Sequence, residues 1–161
     1  MQEKEAYLES EITFRVRYCE TDQMGIAHHP VYFIWFENGR IDLLKKSGID
    51  YAEMERNGEY LPVVTCASKY FRPTRFDDMI VVKTVFVEVE ANRIGFGAWI
   101  DKQEEDSQDR TPIAKLYSLH AYAKEDMVAR PLPDDVFDST FSKKYDGTFF
   151  SRKRRRRPPG F

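Results

Sequence analysis

The stretch that decides the fold runs Arg17-Tyr18-Cys19-Glu20-Thr21-Asp22-Gln23-Met24-Gly25-Ile26-Ala27-His28-His29-Pro30 and continues Val31-Tyr32-Phe33-Ile34-Trp35-Phe36. Before it, Ile12, Phe14, Val16 and Tyr18 alternate with Thr13, Arg15 and Arg17, the period of a half-buried strand. The chain then turns at Gly25, and Pro30 fits the first position of a helix, where its missing N–H costs nothing. Helical spacing holds from Val31 to Lys46, and Gly48 stands where a helix C-cap favours glycine. The run Val31 to Phe36 leaves no polar face for two turns, so the first half of this helix reads as buried on every side. Such a helix needs a sheet that wraps it.

The remaining sequence supplies that sheet. A short second helix is read over Tyr51 to Arg56. Leu61 to Tyr70, Ile80 to Glu90, Arg93 to Lys102 and Ile113 to Lys124 then alternate β-branched or aromatic residues with polar ones. Ala91-Asn92 makes a tight turn, Gln103 to Thr111 a solvated hairpin loop, and Pro131 and Pro133 close the last strand. A further short helix is expected over Asp134 to Phe141. One long helix with antiparallel strands before and after it is an α+β arrangement.

A length of 161 residues and a hydrophobic fraction of 42% fit one domain with a real core, and residues 1–144 are read as that domain. The net charge of −2 hides an asymmetry: Arg152, Lys153, Arg154, Arg155, Arg156 and Arg157 are all basic, and without them 19 basic and 27 acidic residues leave −8. Residues 145–161 are read as a disordered basic tail ending in Pro158-Pro159-Gly160. The basic run Arg152 to Arg157 has no interleaved aromatics and no zinc or helix-turn-helix module to read bases, so no specific nucleic-acid partner is expected, nor is membrane contact through this tail. The acidic start lacks the basic and apolar regions of a secretory signal, and no run is long enough to span a bilayer. Two cysteines with no CxxC spacing do not make a disulfide framework, and a cytoplasmic protein with reduced thiols is the expectation.

Several side chains in this frame suit chemistry. Asp22 lies in the turn and His29 at the helix mouth, seven residues on. A carboxylate there can activate water or attack a carbonyl directly; as a plain turn residue it would only accept local backbone hydrogen bonds. The N–H groups of His29, Val31 and Tyr32 are the candidate donors to a developing oxyanion, because the first N–H groups of a helix have no internal partner. His28 reads as packing or gating, and His120 as a core or interface histidine. Glu37, on an otherwise apolar helix face, must be paired or solvated, and Arg40 one turn on is its structural partner. Gly39 costs about 1 kcal/mol of helix stability and is read as close packing across a dimer interface. No metal site is expected, since adjacent His28 and His29 diverge and lack an acidic ligand cluster. No G-x-S-x-G elbow, phosphate loop or dinucleotide fingerprint appears.

The string Asp22-Gln23-Met24-Gly25-Ile26 with His28-His29-Pro30 resembles the active-site loop of hotdog-fold acyl-CoA thioesterases of the 4-hydroxybenzoyl-CoA thioesterase type. Pro62-Val63-Val64-Thr65-Cys66, Phe76-Asp77-Asp78 and the closing Arg130-Pro131-Leu132-Pro133 extend the resemblance, nearest to the branch associated with the Tol–Pal cluster. Asn38-Gly39, where related chains often carry Arg-Ala, and the basic tail depart from it.

The resemblance implies a hotdog fold, an antiparallel sheet around one central helix, with Asp22 as base or nucleophile. It implies an oxyanion donor or catalytic histidine at His29 and a supporting carboxylate at Glu37. Gly25, Ile26 and Tyr32 would meet the substrate. Arg93, and more weakly Arg75, Arg72 and Lys69, would meet the coenzyme A phosphates. It implies no cofactor, coenzyme A being part of the substrate, and a homodimer or homotetramer with the site at a subunit interface. The enzyme alternative is a thioesterase acting on acyl-carrier protein. The non-enzyme alternative is an acyl-CoA binder or scaffold that lost turnover.

Overall fold

A computed structural model describes residues 7–105, 107–134 and Phe149. Strand β1 (Glu9–Arg15) precedes helix α1 (Val31–Lys46) and helix α2 (Tyr51–Arg56). Then follow β2 (Glu59–Tyr60), β3 (Val63–Tyr70), β4 (Met79–Glu90), β5 (Arg93–Gln103), β6 (Arg110–Lys124) and β7 (Ala129–Arg130). Every pairing among the described strands is antiparallel. The main sheet runs β1–β4–β5–β6–β3, and the short β2 and β7 also pair with β6.

Helix α1 lies across the concave face, where Trp35, Phe36 and Leu43 meet Ile80, Phe86, Phe96 and Ile100 in one core. The ring of Trp35 stands 5.5 Å from that of Phe14, which joins α1 to β1. Burial of these side chains is the main stabilising term, at roughly 1.5–3 kcal/mol for each large apolar group. Both helices keep the limits read from sequence, α2 because the Asp50 carboxylate accepts the Glu53 N–H at 3.0 Å as an N-cap.

Four expectations change. The first strand stops at Arg15, because the Glu20 carboxylate takes the Arg17 N–H at 2.8 Å and bends Tyr18–Glu20 into a single 3-10 turn that includes Cys19. Pro30 is the N-cap of α1 and Val31 its first residue. Helix α1 is not buried all round: Ile34 and Ile41 are exposed on a flank that also carries Glu37. Gly39 packs inside the chain and not across a dimer, since a Cβ there would fall on Thr84 Oγ1 of β4.

Strand β3 is exposed along most of its length, with Val63 and Val64 both more than half accessible. It pairs with β6 on one side, and its other edge has no strand among the described residues. The expected helix over Asp134 to Phe141 and most of the 145–161 tail lie outside the described residues. Phe149 is described: its ring lies against Gly97 on the face of β5 opposite α1, 4.8 Å from the Trp99 ring. No described helix is long and apolar enough to cross a membrane.

Candidate active site

The loop between β1 and α1 is tied at its base. Thr21 and Ala27 form an antiparallel bridge, Asp22 N–H donates to the Ile26 carbonyl at 2.9 Å, and Gly25 N–H donates to the Asp22 carbonyl at 2.9 Å. Gly25 closes the turn with φ of +72°, a left-handed conformation that glycine takes without a Cβ penalty. The second anchor is Glu20, buried to 5% exposure. Its carboxylate accepts from Arg17 Nη2 at 2.8 Å and from Trp35 Nε1 at 3.1 Å, and its carbonyl accepts the His28 N–H at 2.9 Å. Burial, the largest single influence, pushes the Glu20 carboxyl up, but the Arg17 and Trp35 donors and the Arg17 charge together outweigh it and hold the carboxyl below its usual range.

This frame aims Asp22 at a cavity. One carboxylate oxygen, Oδ1, accepts the Met24 N–H at 2.8 Å. The other, Oδ2, has only His28 Nδ1 at 4.0 Å among the described residues, and the side chain is 23% exposed. One oxygen is therefore pinned and the other is free to take a proton or attack. The cavity measures 410 Å³ and is walled by Asp22, Ile26, His29, Tyr32, Tyr70 and Arg72.

The start of α1 opens onto the same space. Val31 N–H is used by the His28 carbonyl at 2.9 Å, which removes it from the candidate oxyanion donors. The N–H groups of His29 and Tyr32 have no backbone acceptor among the described residues. Tyr70 Oη donates to the His29 carbonyl at 2.9 Å and fixes that residue, while its ring packs edge-on to Tyr32 at 5.0 Å. Tyr32 is itself buried, with its hydroxyl 3.4 Å from Thr74 Oγ1, and burial pushes its pKa up. Arg75 lies beside the turn, its Nη1 3.5 Å from the Gly25 carbonyl.

Asp22, Gly25, Ile26, His29, Tyr32 and Arg75 are thus neighbours, and two other candidates are not. Glu37 lines a separate 330 Å³ cavity with Arg40, Tyr51, Leu61 and His120. Arg93 opens β5 opposite Ala121, at the end of the sheet where Val63 meets His120, whereas Tyr70 of the Asp22 cavity meets Ala114. Within one chain neither reaches Asp22. Sequence reading missed Glu20, Tyr70 and Thr74; the only local sign of the first is its i+3 spacing from Arg17. A recess of 1060 Å³ beside Arg15 and Lys102 is open and lined by ion-paired side chains such as Lys102 with Asp78 at 2.8 Å. Among the described residues no group of His, Cys, Asp and Glu could hold a metal ion.

Residues 16–139 match the thioesterase-like superfamily. The chain belongs to that family. Among curated relatives, YneP of Bacillus subtilis, which carries a provisional acyl-CoA thioesterase assignment, is 45% identical over 69 residues, 43% of this chain and 50% of YneP. The chain spans about half the length of the curated relatives it matches first. The DHNA-CoA thioesterase of Staphylococcus aureus superposes with a TM-score of 0.73 at 27% identity, covering 84% of this chain and 89% of that one. The 4-hydroxybenzoyl-CoA thioesterase of Pseudomonas sp. strain CBS-3 shares the fold, with a TM-score of 0.72 at 18% identity over 81% of this chain and 98% of that one. This family member therefore has the hotdog thioesterase fold that its loop implied, and the Asp22 loop falls inside the matched span.

Proposed function

We propose that the protein is a cytoplasmic acyl-CoA thioesterase that hydrolyses an acyl-CoA to the free acid and coenzyme A. The observation that carries this reading is that Asp22, whose Oδ2 has no hydrogen-bond partner among the described residues, lines the same cavity as His29 and Tyr32, whose N–H groups have no backbone acceptor among them. Asp22 takes a proton from water as the water oxygen bonds to the thioester carbonyl carbon. The carbonyl electron pair moves onto oxygen, where a helix N-terminal donor is worth about 3 kcal/mol. Collapse of that intermediate re-forms the carbonyl, breaks the C–S bond and returns the proton to the thiolate. Direct attack by Asp22, giving a mixed anhydride that water then cleaves, uses the same atoms. Neither route calls for a metal or an organic cofactor.

The site is completed by a second copy. Strand β3 offers an edge that no strand covers among the described residues, and exposed Ile41 of α1 lines the same cavity as Val63 of β3. Two identical strands pair antiparallel about a dyad, and pairing the whole of Val63–Tyr70 puts Val63 opposite the partner's Tyr70. That register brings the Glu37 cavity and the Arg93 end of one copy to the Asp22 cavity of the other. It accounts for two site candidates that a single chain leaves apart.

The test is thiol release from short, medium, long and aromatic acyl-CoAs, and from acyl-carrier protein, for the native chain and Asp22→Asn. Release that falls by two orders of magnitude or more in a folded variant supports the reading. Equal release in both would remove Asp22 from the mechanism, and release only from the carrier protein would reassign the substrate.

A further inference from the structure

The cavity lined by Glu37 contains a cation held in an unusual way. Arg40 is 15% exposed, and its guanidinium lies over the rings of Phe36 at 5.2 Å and Phe96 at 5.9 Å. Nη1 donates to Ser118 Oγ at 3.0 Å and contacts His120 Nε2 at 2.6 Å. His120 Nδ1 stands 2.7 Å from the Leu61 carbonyl, which can only accept. The Nδ1–H is thereby fixed toward Leu61, so Nε2 is a bare lone pair and the imidazole is neutral. Ser118 Oγ, 2.9 Å from Nε2, adds no charge.

The buried positive charge therefore rests on neutral partners. Among the described residues its nearest carboxylate is Glu37 Oε2, 3.8 Å from Nη2, on a side chain 62% exposed to solvent. Glu55 also lines the cavity but makes no ion pair with Arg40. A guanidinium out of water without a close counter-charge is costly, whereas a planar carboxylate matches its fork with two parallel hydrogen bonds. Nε and Nη2 have no hydrogen-bond acceptor among the described residues, and the rim carboxylate of Glu37, 3.8 Å from Nη2, can swing aside into water.

We propose that Arg40, braced by neutral His120 and Ser118, receives a carboxylate at the far end of the acyl group, so that the enzyme selects acyl thioesters of dicarboxylic acids over plain alkyl ones. This rests on the thioesterase reading and on the β3 pairing, which sets the Arg40 cavity of one copy beside the Asp22 cavity of the other. The thioester carbonyl meets Asp22 and the His29 and Tyr32 N–H groups, and the distal carboxylate displaces Glu37 from Arg40. The apolar walls from Ile41, Leu44 and Phe96 enclose the methylene chain between them.

The test compares matched pairs: succinyl- against butyryl-CoA, adipoyl- against hexanoyl-CoA, and suberoyl- against octanoyl-CoA. The native enzyme should favour the carboxylate member of at least one pair by about tenfold or more in kcat/KM. Arg40→Gln should bring that ratio toward one, and Arg40→Lys, which keeps charge but loses the fork, should fall between. Preference for the alkyl member of every pair, or an unchanged ratio in Arg40→Gln, overturns the proposal. Should Arg40→Gln not fold, Arg40→Lys decides on the same ratio. If no acyl-CoA releases thiol, the thioesterase reading fails, and titration calorimetry with adipate and hexanoate then judges the carboxylate site alone. Heat from adipate that Arg40→Gln or Arg40→Lys diminishes supports it, and no heat from adipate refutes it.

Discussion

Lowering the pH from about 7.5 to 5 should unfold this protein more easily through one side chain, His120. It is 4% exposed, between Arg40 of α1, Phe96 of β5, Ser118 of its own strand and the Leu61 carbonyl, with Glu37 beyond Arg40. Burial is the largest influence and lowers its pKa. The Leu61 contact opposes that, the Arg40 charge adds to it, and the value falls from 6.5 to about 4. The unfolded chain therefore binds this proton at a higher pH than the folded chain does. The stability held by neutral His120 is complete above about pH 6.5 and drains away as pH falls toward about 4. At about 1.4 kcal/mol per unit, the whole interval costs about 3 kcal/mol, of which about 2 are lost by pH 5. Glu11, Glu20 and Asp42, whose carboxyls are held below their usual range, release their contributions only at lower pH. Urea unfolding of the native chain and His120→Asn at about pH 7.5, 6.5 and 5 isolates the effect. The native chain should lose about 2 kcal/mol more than the variant between the first and last of these points. Equal losses in both would mean that His120 is not held neutral, and the argument for its lone pair on Arg40 would go with it.

Three further outcomes follow from particular contacts. Gly39→Ala gains about 1 kcal/mol of helix propensity but drives a methyl onto Thr84 Oγ1, an overpacking cost of about 1–3 kcal/mol. Denaturant unfolding should show a net loss that the double variant with Thr84→Ala recovers, and a single variant as stable as the native chain would show that β4 yields there. In the proposed β3 register Val64 faces the partner's Lys69, so Val64→Lys sets like charges across the dyad. Sedimentation should find monomers with little thiol release; dimers of full activity would place the interface elsewhere. Trp35→Phe removes the indole donor to buried Glu20 and should cost about 1–2 kcal/mol in thermal unfolding, while an unchanged midpoint would leave Arg17 as the sole support of that carboxylate.

What could be read from sequence was local. The limits of α2 are written in the Asp50 cap, and α1 runs from the Pro30 boundary to the turn before Gly48. Strand alternation carried β3 to β6, of which β4 and β5 turn a face toward α1 whereas β3 is exposed along most of its length. The errors arose where a distant group decided the outcome. Strand β1 ends early because Glu20 captures the Arg17 N–H, and no alternation pattern encodes that bond. An apolar run looks the same whether a sheet or nothing in its own chain covers it, so the exposure of Ile34 and Ile41 was invisible. Gly39 was assigned to the wrong neighbour for the same reason, since its partner Thr84 is 45 residues away.

The site divides along the same line. Asp22, Gly25 and His29 share one short loop, so their juxtaposition was legible from spacing alone, and the bonds that shape it run mostly within residues 17–28. Tyr70 and Thr74 reach that loop only because β3 and the segment after it return beside the mouth of α1. Glu37 and Arg93 were carried by resemblance to a composite site, and a single chain cannot satisfy that assignment, for they stand at the Val63 end of the sheet and Asp22 at the Tyr70 end. An antiparallel pairing of β3 resolves the conflict without moving any residue, because its dyad exchanges those two ends. Reactivity is then set by a contiguous loop, which tolerates little change in spacing. In the proposed reading, choice of acyl group falls to Arg40 and His120, 80 residues apart in sequence and outside that loop.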